Sequence, residues 1–98
     1  MKAESRTPLD HDQATTIVLQ AISAVAPDVE DELPDLDHTI DFFEEFELDS
    51  MDHANVMTRL WETTGISIPE REYPSMRSVN TLAAYLEAES TSAGKDNE

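Results

Sequence analysis

Among the side chains that could take part in chemistry, one serine hydroxyl has the most distinctive surroundings. Ser50 stands between Asp49 and Asp52, follows a long acidic stretch, and lies where an amphipathic helical pattern begins. Taken alone, an Asp-Ser pair before a helix most often only caps it, because short polar side chains accept the free backbone N–H groups there. Whether Ser50 does more depends on the elements that position it and on the pattern of the whole chain.

Two of the expected elements are amphipathic helices near the ends of the chain. Apolar residues recur at i, i+3, i+4 and i+7 over about 10–25, where Asp10 or Asp12 can cap the start and a proline prevents continuation. The last predicted helix follows Ser78, its expected N-cap, and ends at about Glu87. The side chains expected to be buried on these two helices are Ala14, Ile17, Val18, Ala21, Ile22, Val25, Val79, Leu82, Ala83 and Leu86.

The helix that would carry Ser50 is the second main helix of the chain. We expect it to start at Asp49 or Ser50 and to end by Thr64, because Gly65 favours the backbone conformation that closes a helix. Asp49 is a good N-cap, and the carboxylate of Asp52 suits the positive end of the helix dipole. The inward face of this helix is expected to comprise Ala54, Met57, Leu60, Trp61 and Thr64, with an exposed anchor for a partner as the alternative for Trp61.

The connections complete the predicted fold. Residues 28–48 show no clean apolar period, so we expect a long loop with at most one helical turn near 40–45, held to the core by its hydrophobic residues. After Gly65 the chain should be extended, with a short helical turn over 70–73. The fold class is therefore all-α: an antiparallel four-helix bundle of three main helices and one short helix, with a long loop after the first.

Length and tail composition predict one domain. A chain of 98 residues has room for one core, which we place at 10–88, between flexible tails over 1–9 and 89–98. The N-terminal residues include no apolar stretch that could form a signal peptide, and no segment is long and apolar enough to span a membrane. We therefore expect a monomer in the cytoplasm.

Charge and residue types exclude several functions. The net charge is −16, and the segment 28–52 contains twelve Asp and Glu residues but no Lys or Arg. Such a polyanion disfavours nucleic acids and anionic lipids and attracts basic patches on other proteins. There is no cysteine, and neither a catalytic Ser/His/Asp arrangement nor a metal site is expected. The histidines and methionines have ordinary roles in this interpretation, on the surface for His11, His38 and His53 and in the core for Met51, Met57 and Met76.

The chain as a whole resembles the acyl carrier proteins. That family's hallmark is Asp-Ser-Leu at the start of the second helix of a four-helix bundle, and it stands here as Asp49-Ser50-Met51, with a conservative Met. The resemblance also covers the first amphipathic helix, the acidic connection, Gly-Ile-x-Ile-Pro at 65–69 and Val-x-x-Leu-x-x-Tyr-Leu at 79–86. It spans roughly residues 10–88 in the family's order and spacing.

This resemblance implies that Ser50 receives 4′-phosphopantetheine from coenzyme A, through a phosphopantetheinyl transferase that uses Mg²⁺. The thiol of the arm then holds acyl groups as thioesters for enzymes of fatty-acid, specialised lipid or polyketide biosynthesis, while the carrier itself catalyses nothing. The start of a helix suits this role, because a residue there is exposed and stationary and the free backbone N–H groups favour a phosphodiester. The cofactor supplies the sulfur, so no cysteine is required.

The sequence also departs from the family's pattern. Glu47 stands where the family often has Gly, and the helix after Ser50 has fewer acids than is usual. We expect synthases and acyl-transferring enzymes with basic patches to be recognised by Glu47, Asp49, Met51, Asp52, Asn55 and Arg59. Two alternatives remain open at this point: a peptidyl or aminoacyl carrier, and an unmodified acidic interaction module.

Overall fold

The computed structural model describes residues 9–95, with side chains as far as residue 90, and all regular structure in this part of the chain is helical. It contains α1 (His11–Val25), a first 3₁₀ helix (Pro27–Asp35), α2 (Phe42–Glu45), α3 (Ser50–Thr64), a second 3₁₀ helix (Glu70–Ser75) and α4 (Val79–Lys95). Helix α1 packs against both α3 and α4, so the prediction of a helical bundle is confirmed. Within residues 9–95, none of the helices is long and apolar enough to cross a membrane.

The starts of α1 and α4 are fixed by the predicted caps. The backbone N–H of Gln13 donates to Asp10 at 2.8 Å, and the Gln13 side chain accepts from the Asp10 N–H at 3.1 Å. Asp10 is therefore the cap of α1, while Asp12 lies in its first turn. At α4 the N–H of Thr81 donates to the Ser78 hydroxyl at 3.1 Å. All the predicted core residues of the two helices are buried except Ile17 and Val25, which are partly buried.

The predicted end of the last helix was wrong, because α4 continues beyond Glu87 to Lys95. The buried hydroxyl of Ser90 accepts from the N–H of Leu9 at 3.0 Å, and Glu87 contacts the His11 ring at 2.8 Å. These contacts with the start of the chain hold α4 in place past its predicted end. The tail predicted from residue 89 thus overlaps α4, whereas residues 1–8 and 96–98 lie outside the described part, so the tails and domain boundaries remain predictions.

The acidic connection between α1 and α3 contains more helix than the sequence suggested. The predicted turn near 40–45 is confirmed as α2, but the 3₁₀ helix Pro27–Asp35 was not predicted. It begins with a proline, whose fixed φ suits the first helical position, and it buries Val29 and Leu33. Because the segment is short and rich in acids, Val29 and Leu33 do not form a helical period that the sequence would reveal. Likewise, the turn predicted over 70–73 is a 3₁₀ helix that includes a proline and extends to Ser75.

Helix α2 ends in a turn that aims the chain at Ser50. The N–H of Leu48 donates to the carbonyl of Phe43 at 2.8 Å, and the N–H of Glu47 donates to the carbonyl of Glu44 at 3.2 Å. This pair of bonds is the Schellman motif, in which the residue after the cap has left-handed backbone conformation. That residue is Glu47, with φ +58°, and no other described non-glycine residue has a positive φ. The left-handed conformation of this turn therefore explains why the family's pattern often has glycine at the position of Glu47.

We predict that Glu47→Gly stabilises the fold. A left-handed non-glycine residue costs about 1–2 kcal/mol, and the greater freedom of glycine in the unfolded chain offsets only about 0.4–1 kcal/mol of this. Urea unfolding should therefore show a gain of roughly 0.5–1 kcal/mol in the free energy of unfolding.

Two variants serve as controls for this prediction. Glu47→Gln removes the same charge but keeps the backbone strain, so it should reproduce little of the gain. Gly65→Ala should lose about 1 kcal/mol, because Gly65 has φ +76° and an added Cβ would meet nothing within 4 Å, which leaves backbone strain as the sole effect. An equal gain from the glutamine variant would show that charge, not strain, is the cause.

Candidate functional site

The site begins with the cap of α3, which is built as predicted. The N–H of Asp52 donates to the Asp49 carboxylate at 2.9 Å, and the N–H of Asp49 donates to the Asp52 carboxylate at 3.4 Å. The carbonyl of Asp49 also accepts from the N–H of His53 at 3.0 Å, which closes the first turn. Ser50 is the first residue inside α3, so its hydroxyl is not needed as the cap.

Ser50 is exposed at this end of a 15-residue helix. The N–H groups of a helix's first turn have no partner within the helix, and they contribute the positive end of its dipole. Met51, the next residue, is 70% exposed, so an apolar side chain in contact with solvent adjoins the hydroxyl. The arrangement offers a nucleophilic oxygen that another protein can reach, on a backbone that the cap holds in place.

The buried face of α3 differs from the predicted one. The buried residues are His53, Val56, Met57 and Leu60, whereas Ala54 and Trp61 are exposed and Thr64 is half-buried. The predicted buried face differs by about one residue from the observed one. The prediction included Ala54 and Trp61 because they are apolar and omitted His53 because it is polar. Trp61 is 53% exposed, so its assignment to the core was wrong.

The assignments of two other residue types were wrong in part. His53, expected on the surface, is only 8% exposed, and Met51, expected in the core, lies on the surface. The predictions for Met57 and Met76 are confirmed, since both are buried. Polarity misled the prediction for His53, whose aromatic ring packs as an apolar group does.

An aromatic cluster lies beneath the first turn of α3. The His53 ring centroid lies 4.1 Å from that of Phe43 and 5.0 Å from that of Tyr73. The guanidinium of Arg77 lies 5.4 Å from the centroid of the Phe43 ring and donates to Asp41 at 2.6 Å. The cluster thus brings together α2, the first turn of α3, the second 3₁₀ helix and the segment just before α4.

The same cluster shifts the pKa values of two of its members. Burial lowers the pKa of His53 from its ordinary value of 6.5, and the nearby positive charge of Arg77 lowers it further. Burial raises the pKa of Asp41, but its hydrogen bonds with Arg77 and the Glu44 backbone outweigh that effect, and its pKa is lowered. Both shifts favour a neutral imidazole beside an ionised carboxylate.

The residues predicted to recognise partners all contact solvent. Glu47, Asp49, Met51, Asn55 and Arg59 are exposed, and Asp52 is half-exposed. Arg59 is paired with Glu62 one turn later, at 3.7 Å, and each side chain is about half-exposed. Because exposed pairs of this kind contribute at most about 1 kcal/mol, a partner protein can separate them.

The histidines and acids of the described residues are not grouped as metal ligands would be. Within residues 9–95 no group of three or more His, Asp or Glu side chains is placed to hold a metal ion. His11 is exposed and contacts Glu87, and His38 is half-buried. The site therefore centres on the exposed hydroxyl of Ser50 at the start of α3.

A helical bundle that presents one exposed serine at a capped helix start has the form of a carrier domain. Comparison with known protein families agrees, because residues 17–86 match the family model described as the phosphopantetheine attachment site. The chain belongs to this family, whose domains carry covalently attached 4′-phosphopantetheine. Neither the curated proteins nor the solved structures include a match to this chain.

The exposure of Trp61 leads to a prediction about stability. Trp61→Ala should lower the free energy of unfolding by less than about 1 kcal/mol, because substitutions at the surface have small effects. The adjacent Leu60 is fully buried, so Leu60→Ala should cost about 2–5 kcal/mol. Urea unfolding of the two variants measures both effects, and an equally large loss from the tryptophan variant would place Trp61 in the core.

Proposed function

We propose that Ser50 is the attachment residue and that the chain is an acyl carrier protein. The observation that carries the proposal is the exposed hydroxyl at the first position of α3, within the segment that matches the attachment-site family. In the transfer, the Ser50 oxygen forms a bond to the phosphorus that bears the pantetheine part of coenzyme A. The bond from that phosphorus to the nucleotide part breaks, and the hydroxyl proton passes to a base of the transferase.

The residues around Ser50 fit a phosphodiester. The dipole and the N–H groups at the start of α3 favour a negative charge there. The carboxylates of Asp49 and Asp52 oppose it, but each is engaged with the other's backbone N–H in the cap. Their repulsion acts through solvent, where two unit charges about 4 Å apart interact by only about 1 kcal/mol. The cap thus keeps two acids at the site for recognition without disturbing the helix start.

The attached arm supplies a thiol that holds the acyl group as a thioester. The contribution of this chain is to present that arm from a fixed point, so we propose that the chain has no catalytic residue of its own. The acyl cargo is proposed to belong to fatty-acid, specialised lipid or polyketide biosynthesis, because the charge of −16 suits carriers that meet enzymes with basic docking patches.

The exposed face of α3 and its approach are proposed as the recognition surface. Glu47, Asp49 and Asp52 surround the attachment point and would speed encounter with basic patches. Farther along, Asn55 supplies no charge, and Arg59 would face a basic patch with like charge. We therefore propose that the carrier serves a specialised set of enzymes, whereas its transferase reads mainly the neighbourhood of Ser50.

Modification of Ser50 is directly testable. With coenzyme A, Mg²⁺ and a phosphopantetheinyl transferase, the apo protein should gain one arm, as measured by intact mass. Ser50→Ala should gain none while remaining folded, because Asp49 rather than Ser50 provides the cap. Ser67→Ala, a change at another exposed serine, should be modified normally. Arm transfer to the Ser50→Ala protein would place the attachment elsewhere.

The recognition surface yields a second prediction. The double variant Asn55→Glu/Arg59→Ala should be a better substrate than wild type for a housekeeping fatty-acid synthase, mainly through a lower KM and most strongly at low salt. A matched control, Asn80→Glu/Arg71→Ala, changes the net charge equally at two exposed positions outside α3. Equal turnover of the wild type and the α3 variant would contradict the assigned roles, and an equal gain in the control would reduce the effect to net charge.

A further inference from the structure

His53 lies one helical turn after Ser50 and faces the interior. It is 8% exposed, and its ring packs on Phe43 of α2 and on Tyr73 of the second 3₁₀ helix. Its backbone N–H donates to the carbonyl of Asp49, the residue immediately before Ser50. The same residue therefore closes the first turn of α3 and fixes that turn to the aromatic cluster.

The surroundings of the Nε2 atom of His53 suit the neutral form of the ring. Its Nε2 atom is buried and has no hydrogen-bond partner among the described residues. In a neutral imidazole this nitrogen can remain an unused acceptor, but in an imidazolium both ring nitrogens are donors. Protonation would therefore bury an N–H group without an acceptor, together with a positive charge, and both are unfavourable.

The charged groups around the ring have opposite effects. Arg77, which precedes α4, lies over the neighbouring Phe43 ring and disfavours a second positive charge. Asp41, the cap of α2, favours that charge but is already bound to Arg77 at 2.6 Å. Tyr73 contributes its aromatic ring, and on α3 itself Asp49 and Asp52 are engaged in the exposed cap. Burial and Arg77 prevail over Asp41 and a hydrogen bond at the Met76 backbone, so the pKa is lowered.

We propose that neutral His53 is a positioning residue for Ser50. It fixes the first turn of α3 on the Phe43 and Tyr73 rings, and its protonation loosens that turn and slows transfer of the arm to Ser50. The proposal rests on the assignment of Ser50 as the attachment residue. What it adds is the role of His53. This buried residue acts on the start of α3, and the start of α3 in turn determines how firmly the Ser50 hydroxyl is held.

The direction of the pH dependence follows from the lowered pKa of His53. Above its ordinary value of 6.5 the ring is neutral in both the folded and the unfolded chain, and the packing is at full strength. As the pH falls below this value the unfolded or opened state takes up a proton more readily than the folded one. The first turn therefore becomes easier to open in mild acid, and this loss is complete only below the pKa of the folded state.

Amide hydrogen exchange tests the positioning role without involving the arm. Between about pH 7.5 and pH 5.5, above the range in which ordinary carboxylates titrate, the protection of the Asp52 and His53 amides should fall several-fold after correction for intrinsic exchange. Amides at the frayed end of α1, near Val25, exchange through local openings that leave His53 packed, so they should keep their protection, whereas core amides that exchange only on global unfolding should lose it. Unchanged protection of the Asp52 and His53 amides, or an equal loss at the end of α1, would overturn the positioning role.

Variants separate His53 from the other titrating groups. His53→Phe keeps a flat ring in the cluster but cannot be protonated, so the exchange of its first-turn amides should be independent of pH in this range. His11→Phe changes an exposed histidine of α1. In this variant the exchange of the first-turn amides of α3 should keep the pH dependence of wild type. Should His53→Phe not fold, the wild type alone decides the question. The Asp52 protection must begin to fall near pH 6.5 and level off where the His53 ring resonances of the folded protein titrate, and a fall that continues below that range would refute the role.

Arm transfer then tests the consequence for Ser50. The ratio of the transfer rate of wild type to that of His53→Phe, with one transferase, should fall between about pH 7.5 and about 5.5, because only the wild-type turn is loosened by protonation. Taking the ratio cancels the enzyme's own pH dependence. A constant ratio beside pH-dependent exchange would overturn the link to Ser50. If the exchange result holds but no variant accepts the arm, the attachment assignment fails, while the role of His53 in fixing the helix start stands.

Discussion

The burial of Phe42 and Phe43 is the interaction on which the rest of the structure depends. Both rings are almost completely excluded from solvent, and their centroids are 4.2 Å apart. They lie in the most acidic part of the chain, where repulsion between carboxylates favours an extended conformation. Burial of two large aromatic side chains opposes this repulsion with several kcal/mol, since a buried phenylalanine contributes about 1.5–3 kcal/mol. The short helix α2 exists because these rings are anchored.

The position of Ser50 follows from this anchor through short covalent and hydrogen-bonded steps. Phe43 accepts the Leu48 N–H in the Schellman turn, and its ring packs against His53 on the far side of Ser50. The backbone is also tied to the start of α4, since the Phe42 N–H donates to the Arg77 carbonyl at 3.1 Å. The serine thus lies between two points fixed to one residue, Phe43, through its carbonyl and its ring. An exposed hydroxyl can be held in place in this way.

The sequence predicted the parts of this arrangement that depend on local chemistry. The Asp49 cap, the stop at Gly65 and the start of α4 after Ser78 depend on residues whose preferences are strong within one turn. The buried face of α3 was predicted less well, because His53 and Trp61 have both polar and apolar character and only their neighbours decide their burial. The strained conformation of Glu47 could not be predicted from its own residue type. The family's frequent glycine at that position was the available signal, and it became informative once the φ angle was known.

In the proposed function, the two faces of α3 divide positioning from recognition. His53, Val56 and Leu60 face the core and determine where the helix start lies, whereas Met51, Asn55 and Arg59 face solvent. Because surface substitutions change stability little, the outer face can change its charge and shape while the serine stays in place. The inner face has no such freedom, since its residues are buried and the apolar ones belong to the common core. The proposed carrier, which would be accepted by a transferase and by particular later enzymes, requires this separation, and a single amphipathic helix can provide it.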